Sequence, residues 1–145
     1  MFTIKSRFPR GIRNNNPGNI RRGNIVWEGM VPAYETIGED ADFVVFTTPE
    51  MGIRAMVRIL ITYRNRHNLT TIRQVITRWA PPNENDSAAY INHVAEMVGI
   101  GVDDQLDYAQ HLRPLVEAII DHENGGMPYQ DRILVVGINR GLGLA

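Results

Sequence analysis

The sequence predicts a mainly α-helical fold, with five to six helices and a small β-hairpin or loop lobe near the N-terminus. Three observations carry this prediction: breakers crowd the N-terminal part of the chain, the apolar period turns helical from Thr47 onward, and each helical run ends in a recognisable stop. A length of 145 residues, 43% of them apolar and 21% charged, is that of one packed domain covering 1–145.

In residues 1–46, Pro9, Gly11, Pro17, Gly18, Gly23, Gly29, Pro32 and Gly38 interrupt short apolar pieces, which implies irregular loops. Two pieces read as strands, 24–27 and 43–46. The second is apolar and β-branched or aromatic throughout, and the two are expected to pair as a small sheet. Thr47, Thr48, Pro49 and Glu50 then supply capping hydroxyls, a first-turn proline and an early acid. The apolar positions Ile53, Met56, Val57, Leu60 and Ile61 follow with helical spacing, so a helix runs to about Arg66, and Glu50 reads mainly as its cap. A second helix spans about 70–79, stopped by Pro81 and Pro82. A third follows Asp86, carries the stripe Tyr90, Val94, Met97 and Val98, and ends at Gly99. Leu112, Leu115, Val116, Ile119 and Ile120 repeat the spacing in a fourth, with Pro114 near its start or kinking it, before the stop His122-Glu123-Asn124-Gly125-Gly126. A last helix covers about 131–139.

Composition removes several classes of function. The absence of cysteine excludes a disulfide framework, a thiol nucleophile and cysteine-ligated zinc. The four histidines, at 67, 93, 111 and 122, form no metal-binding spacing, and neither a serine elbow nor a P-loop is present, so no metal or organic cofactor is expected. No apolar run reaches the roughly 20 residues of a membrane span, and the N-terminal segment lacks a secretory apolar stretch. Synthesis in the cytoplasm, without a membrane or nucleic-acid partner, is the expectation at a net charge of −1. Charge is uneven, however. Lys5, Arg7, Arg10, Arg13, Arg21 and Arg22 all precede the first acid, Glu28, a pattern that fits either contact with an anionic polymer or a solvated basic face.

With these classes gone, a carboxylate set remains. Glycoside cleavage needs one carboxyl group held protonated so that it can protonate the leaving oxygen. Glu123 is placed for that, since it follows an apolar helical stripe at the helix end whose partial negative charge opposes ionisation, and glycines after it leave room for substrate. An ordinary glycine-capped helix end reads the same way. A second carboxylate has no clear owner among Glu28, Glu39 and Asp40. The amides of Asn15, Asn16 and Asn19 match the neutral donors and acceptors of an aminosugar, although Asn-Asn-Pro-Gly is also a strong turn former in its own right. Trp27, Tyr90 and Tyr129 are aromatic candidates for contacting a sugar, with core packing as the alternative for each.

Four segments, residues 10–22, 43–56 (FVVFTTPEMGIRAM), 78–86 (RWAPPNEND) and 121–125 (DHENG), resemble a phage- or prophage-encoded virion lysozyme-like family. They are similar, more loosely, to the glucosaminidases and lytic transglycosylases of the lysozyme superfamily. The resemblance implies a lysozyme-like fold and cleavage of the β-1,4 glycan strand of peptidoglycan, with Glu123 as the acid and Tyr90 as a contributed tyrosine. Peptidoglycan strands, and other virion proteins, are the partners it implies, with action at the bacterial cell wall. The order of segments departs from that family's, because the Asn turn precedes the glutamate helix here. A circular permutation is therefore expected, with Glu123 packed against the turn at 14–19 in space. Two rival readings stay open: a cell-wall peptidase on the same fold, and a non-catalytic virion or wall-binding module.

Overall fold

In the computed structural model, which describes residues 8–36 and 41–144, the helices are α1 (Arg10–Arg13), α2 (Pro49–His67), α3 (Ile72–Trp79), α4 (Ser87–Val98), α5 (Tyr108–Asn124) and α6 (Asp131–Gly141). The longer helices form along apolar stripes, and α2 to α5 each start at a side-chain cap. The Thr48 hydroxyl accepts from the Met51 N–H at 3.3 Å, Thr71 and Gln74 form a reciprocal capping box, and the Asp86 carboxylate accepts from the Ala89 N–H at 3.1 Å. Gly99 and Gly125 close α4 and α5 in the left-handed region, at φ 85° and 71°. The fold is mainly α, as expected.

Two boundaries differ from the sequence reading. Helix α5 begins at Tyr108, capped by Asp107, so Pro114 sits inside the helix rather than near its start. Helix α6 extends to Gly141. The short α1 falls in a region expected to be loop.

The expected sheet does not form among the described residues. Only two isolated antiparallel bridges occur, Arg21 with Phe43 and Met30 with Phe46. Residues 24–27 form no bridge with another described residue, and Ile25 and Val26 are exposed. The reason lies in segment 43–47, whose hydrogen-bonding capacity is divided between two loops. Val44 and Phe46 donate to the carbonyls of Ile20 and Asn14, while the Val45 carbonyl accepts from Val31 and the Thr47 N–H donates to Gly29. Each partner loop, broken by glycine and proline, offers too few consecutive extended residues for a ladder.

One apolar core joins the helices. Leu115, Val116, Ile119 and Ile120 of α5 are buried with Ile53, Met56, Val57 and Leu60 of α2, and with Val75, Val94 and Leu134 from the neighbouring helices. Burial of this kind is worth about 1.5–3 kcal/mol per large apolar side chain. Helix α6 lies against α2 through glycines, since a Cβ at Gly137 would meet Ile53 at 2.6 Å and one at Gly141 would meet Val57 at 2.5 Å. Helix α4 packs on α5 and α3, and α1 packs on the C-terminal part of the molecule through α5. That last contact brings residues 10–13 against helix α5, about a hundred residues later in the chain.

Candidate functional site

The site is assembled where the C-terminal end of α5 meets the turn at 14–19. Asn16 is wholly buried and holds the turn closed: its amide donates to the carbonyls of Ile20 (2.9 Å) and Val44 (2.8 Å), and its Oδ1 accepts from the Ile20 N–H at 2.9 Å. Asn15 and Asn19 adopt positive φ, 52° and 51°, a conformation asparagine tolerates better than most residues. The Asn15 amide donates to the Phe46 carbonyl at 3.1 Å. Close approach of α5 and α2 to this segment needs small residues. A Cβ at Gly11 would meet Asn124 Oδ1 at 2.5 Å, and one at Gly52 would overlap the Asn15 carbonyl.

Two successive residues of α5 grip this turn. The Asn124 amide donates to the Pro17 carbonyl at 2.8 Å, and the Asn19 amide donates to Glu123 Oε1 at 2.9 Å. The other carboxylate oxygen of Glu123 accepts from the Tyr90 hydroxyl of α4 at 2.8 Å. Glu123 itself is half-buried, so each oxygen has a fixed donor while the group remains open on one side. Burial, and secondarily the adjacent Glu123 charge, hold the Tyr90 hydroxyl far above its ordinary value, so it stays protonated as a donor.

Behind Tyr90 lies a histidine pair that sequence spacing did not reveal. The His122 ring stacks on Tyr90 with centroids 3.8 Å apart at 26°, and His122 Nδ1 lies 2.8 Å from His93 Nδ1. His93 Nε2 in turn lies 3.2 Å from Asp121 Oδ2. With His93 donating through Nε2 to the carboxylate, its Nδ1 is the acceptor and His122 the donor across the pair. Desolvation, and then the neighbouring His93, lower the His122 pKa.

Glu123 and Asn19 open onto a cleft of about 480 Å³, shared with Arg10, Arg21, Phe43, Tyr63, Arg78, Trp79 and Glu84. The RWAPP segment thus delivers Arg78 and Trp79 to the cleft. Both were read from sequence only as the end of a helix, and their place in the resembling segment was the signal that marked them.

Several expected site residues lie elsewhere. Asn15 and Asn16 spend their amides on backbone inside the protein, so of the three asparagines only Asn19 reaches the cleft. Glu28 pairs with Arg54 at 3.1 Å and lines a separate depression with Glu50, so it is no partner carboxylate for Glu123. Trp27 packs against the core and does not line the cleft. Tyr129 is half-buried against the core with its hydroxyl enclosed; burial and the nearby Glu50 push that hydroxyl up to about 12, which puts it on the α2 side. Asp40, with Glu39, lies outside the described residues. Among the described residues the cleft's other carboxylate is Glu84, which sequence reasoning did not single out.

No protein-family model matches the chain. It is similar to "Protein P5" of Pseudoalteromonas phage PM2, with 43% identity over 123 residues, covering 83% of this chain and 74% of the relative. No described helix is long and apolar enough to cross a membrane.

Proposed function

From the premise that this chain belongs to the family of Protein P5 of Pseudoalteromonas phage PM2, we propose that it cleaves the β-1,4 glycan strand of peptidoglycan, as a muramidase or a lytic transglycosylase with one glutamate acid. A phage protein has a bacterial wall to pass, and the four resembling segments converge on one cleft. The observation that carries the reading is the Glu123 carboxyl group at that cleft, with Asn19 and Tyr90 each donating to one of its oxygens. The same contact ties the N-terminal turn to the end of α5, which is the proximity a circularly permuted lysozyme-like chain requires.

In this mechanism Glu123 gives its proton to the glycosidic oxygen as the C–O bond breaks. The carboxylate left behind is received by two donors already in place, so little rearrangement accompanies the charge that develops. The substrate's own N-acetyl carbonyl oxygen attacks the anomeric carbon and replaces a protein nucleophile. Glu123 then takes a proton from the incoming oxygen as that oxygen bonds to the anomeric carbon and the bond to the N-acetyl oxygen breaks; water gives a reducing end and the sugar's 6-hydroxyl an anhydro end. Glu28 is thereby unnecessary.

Digestion of purified peptidoglycan, followed by mass spectrometry, tests the proposal. The expected products are glycan fragments with reducing or anhydro ends, and Glu123→Gln is expected to release them at least a hundredfold more slowly. Freed peptides with intact glycan would replace the proposal with a peptidase. Binding to the wall without cleavage by the wild type would leave a non-catalytic virion or wall-binding module.

A further inference from the structure

We infer that the cleft contains a subsite for carboxylate groups, formed by Arg10 and Arg21 over Phe43 and by Arg78 over Tyr63, so that its substrate is an acidic glycan rather than an uncharged polymer of N-acetylglucosamine. This rests on the glycan-cleaving reading and specifies its substrate class.

Each arginine lies beside an aromatic ring. The guanidinium carbons of Arg10 and Arg21 lie 3.7 and 4.8 Å from the centre of the Phe43 ring, and that of Arg78 lies 5.5 Å from the centre of Tyr63. All three side chains are exposed and line the cleft that holds Glu123 and Asn19. Arg10 and Arg21 sit over Phe43 with N–H groups left for a carboxylate, whereas Arg78 also hydrogen-bonds the Tyr63 hydroxyl and keeps only part of its N–H edge for one.

Their partners are the second observation. Arg54, Arg73 and Arg113 are spent on Glu28, Asp103 and Glu117, and Arg22 on the Ala41 carbonyl and the Thr36 hydroxyl. Among the described residues, Arg10, Arg21 and Arg78 form no ion pair, as Arg58, Arg64, Arg66, Arg132 and Arg140 also do not, and they are the arginines that share the cleft with Glu123. The acids on the same cleft are Glu84 and Glu123. Three cations therefore face two carboxyl groups, leaving the cleft positive. An uncharged aminosugar would offer the guanidiniums only neutral acceptors in exchange for the water it displaces. A sugar with a lactyl carboxylate, or a stem peptide with free carboxylates, would replace that water with charge-assisted hydrogen bonds.

Three soluble substrates of matched length separate the sources: peptidoglycan strands with stem peptides, strands stripped of peptide but keeping the lactyl carboxylate, and chitooligosaccharides. The wild type is expected to show a lower KM for strands than for chitooligosaccharides, a difference that shrinks as ionic strength rises. In the Arg10→Gln/Arg21→Gln variant, KM on strands is expected to rise about three- to tenfold with kcat unchanged, as for loss of uniform binding through exposed charges. Equal behaviour of stripped and intact strands assigns the lactyl group; an effect confined to intact strands assigns the peptide. Should the double variant not fold, Arg78→Gln and the wild-type salt dependence carry the same test. Equal, salt-independent KM values for strands and chitooligosaccharides would overturn the subsite while glycan cleavage stands. If no substrate is cleaved, the cleavage reading falls, and the subsite is judged by calorimetric binding of the same three polymers to Glu123→Gln. Salt-insensitive binding without preference overturns it there.

Discussion

Asn16 and Asn19 lie three residues apart in one turn, yet one is a structural clamp and the other a donor to the candidate acid. Nothing in residue type distinguishes them. Asn16 is wholly buried, so its amide must be satisfied by backbone, whereas Asn19 is half-exposed at positive φ and its side chain reaches Glu123. Tyr90 combines both roles: its ring belongs to the α4 stripe, as the periodicity implies, and its hydroxyl still reaches Glu123. This separates packing from chemistry in one substitution. Tyr90→Phe keeps the ring but loses one donor to a carboxylate, a bond worth about 1.5–3 kcal/mol. The expected result is a fall in kcat of roughly tenfold or more, checked by fragment release at saturating substrate alongside a melting curve that confirms the variant is folded. An unchanged kcat would remove Tyr90 from the mechanism.

At the scale of elements, the helices were the legible part. Their apolar spacing, threonine and aspartate caps and glycine stops are local, and local signals survive whatever the rest of the chain does. The strand expectation for 24–27 failed because strand formation depends on a partner, and the chain beside segment 43–47 is too broken to extend a ladder. The α2–α6 interface also carried no periodic signal, since it depends on missing side chains. A Cβ at Gly137 would meet Ile53 Cβ and Cγ2 at 2.6 and 2.7 Å, and Ile53 is itself fully buried. Gly137→Ala is therefore expected to destabilise the protein by about 1–2 kcal/mol, overpacking exceeding the roughly 1 kcal/mol gain in helix propensity. Chemical denaturation measures it, and a stabilised variant would show that α6 can move away from α2 without cost.

Across the whole molecule, the turn at 14–19 meets the end of α5, and stability is linked to pH beside that contact. His122 has a pKa lowered from 6.5, first by desolvation and then by His93, with Glu123, Asp121 and Asp86 opposing. The unfolded chain therefore takes up the proton before the folded one does. Stability is fully present above pH 6.5 and is lost as pH falls through the lowered value. Thermal midpoints are expected to drop between pH 7.5 and 5 in the wild type and to drop less in His122→Gln; parallel profiles would place the loss elsewhere. Asp103, whose pKa lies below its ordinary 3.8 chiefly through its hydrogen bond from Arg73, acts only at more acidic pH. The sequence by itself determined the helical class, the helix stops and the position of Glu123 at a helix end, because each follows from spacing within one turn or from the residues that cap it. Only the tertiary structure decided which asparagine faces Glu123, which aromatics and arginines share its cleft, and that Glu28 belongs to Arg54 instead. Those outcomes depend on which surfaces pack together across about a hundred residues of chain, from Asn19 to Glu123, and short-range spacing holds no record of that.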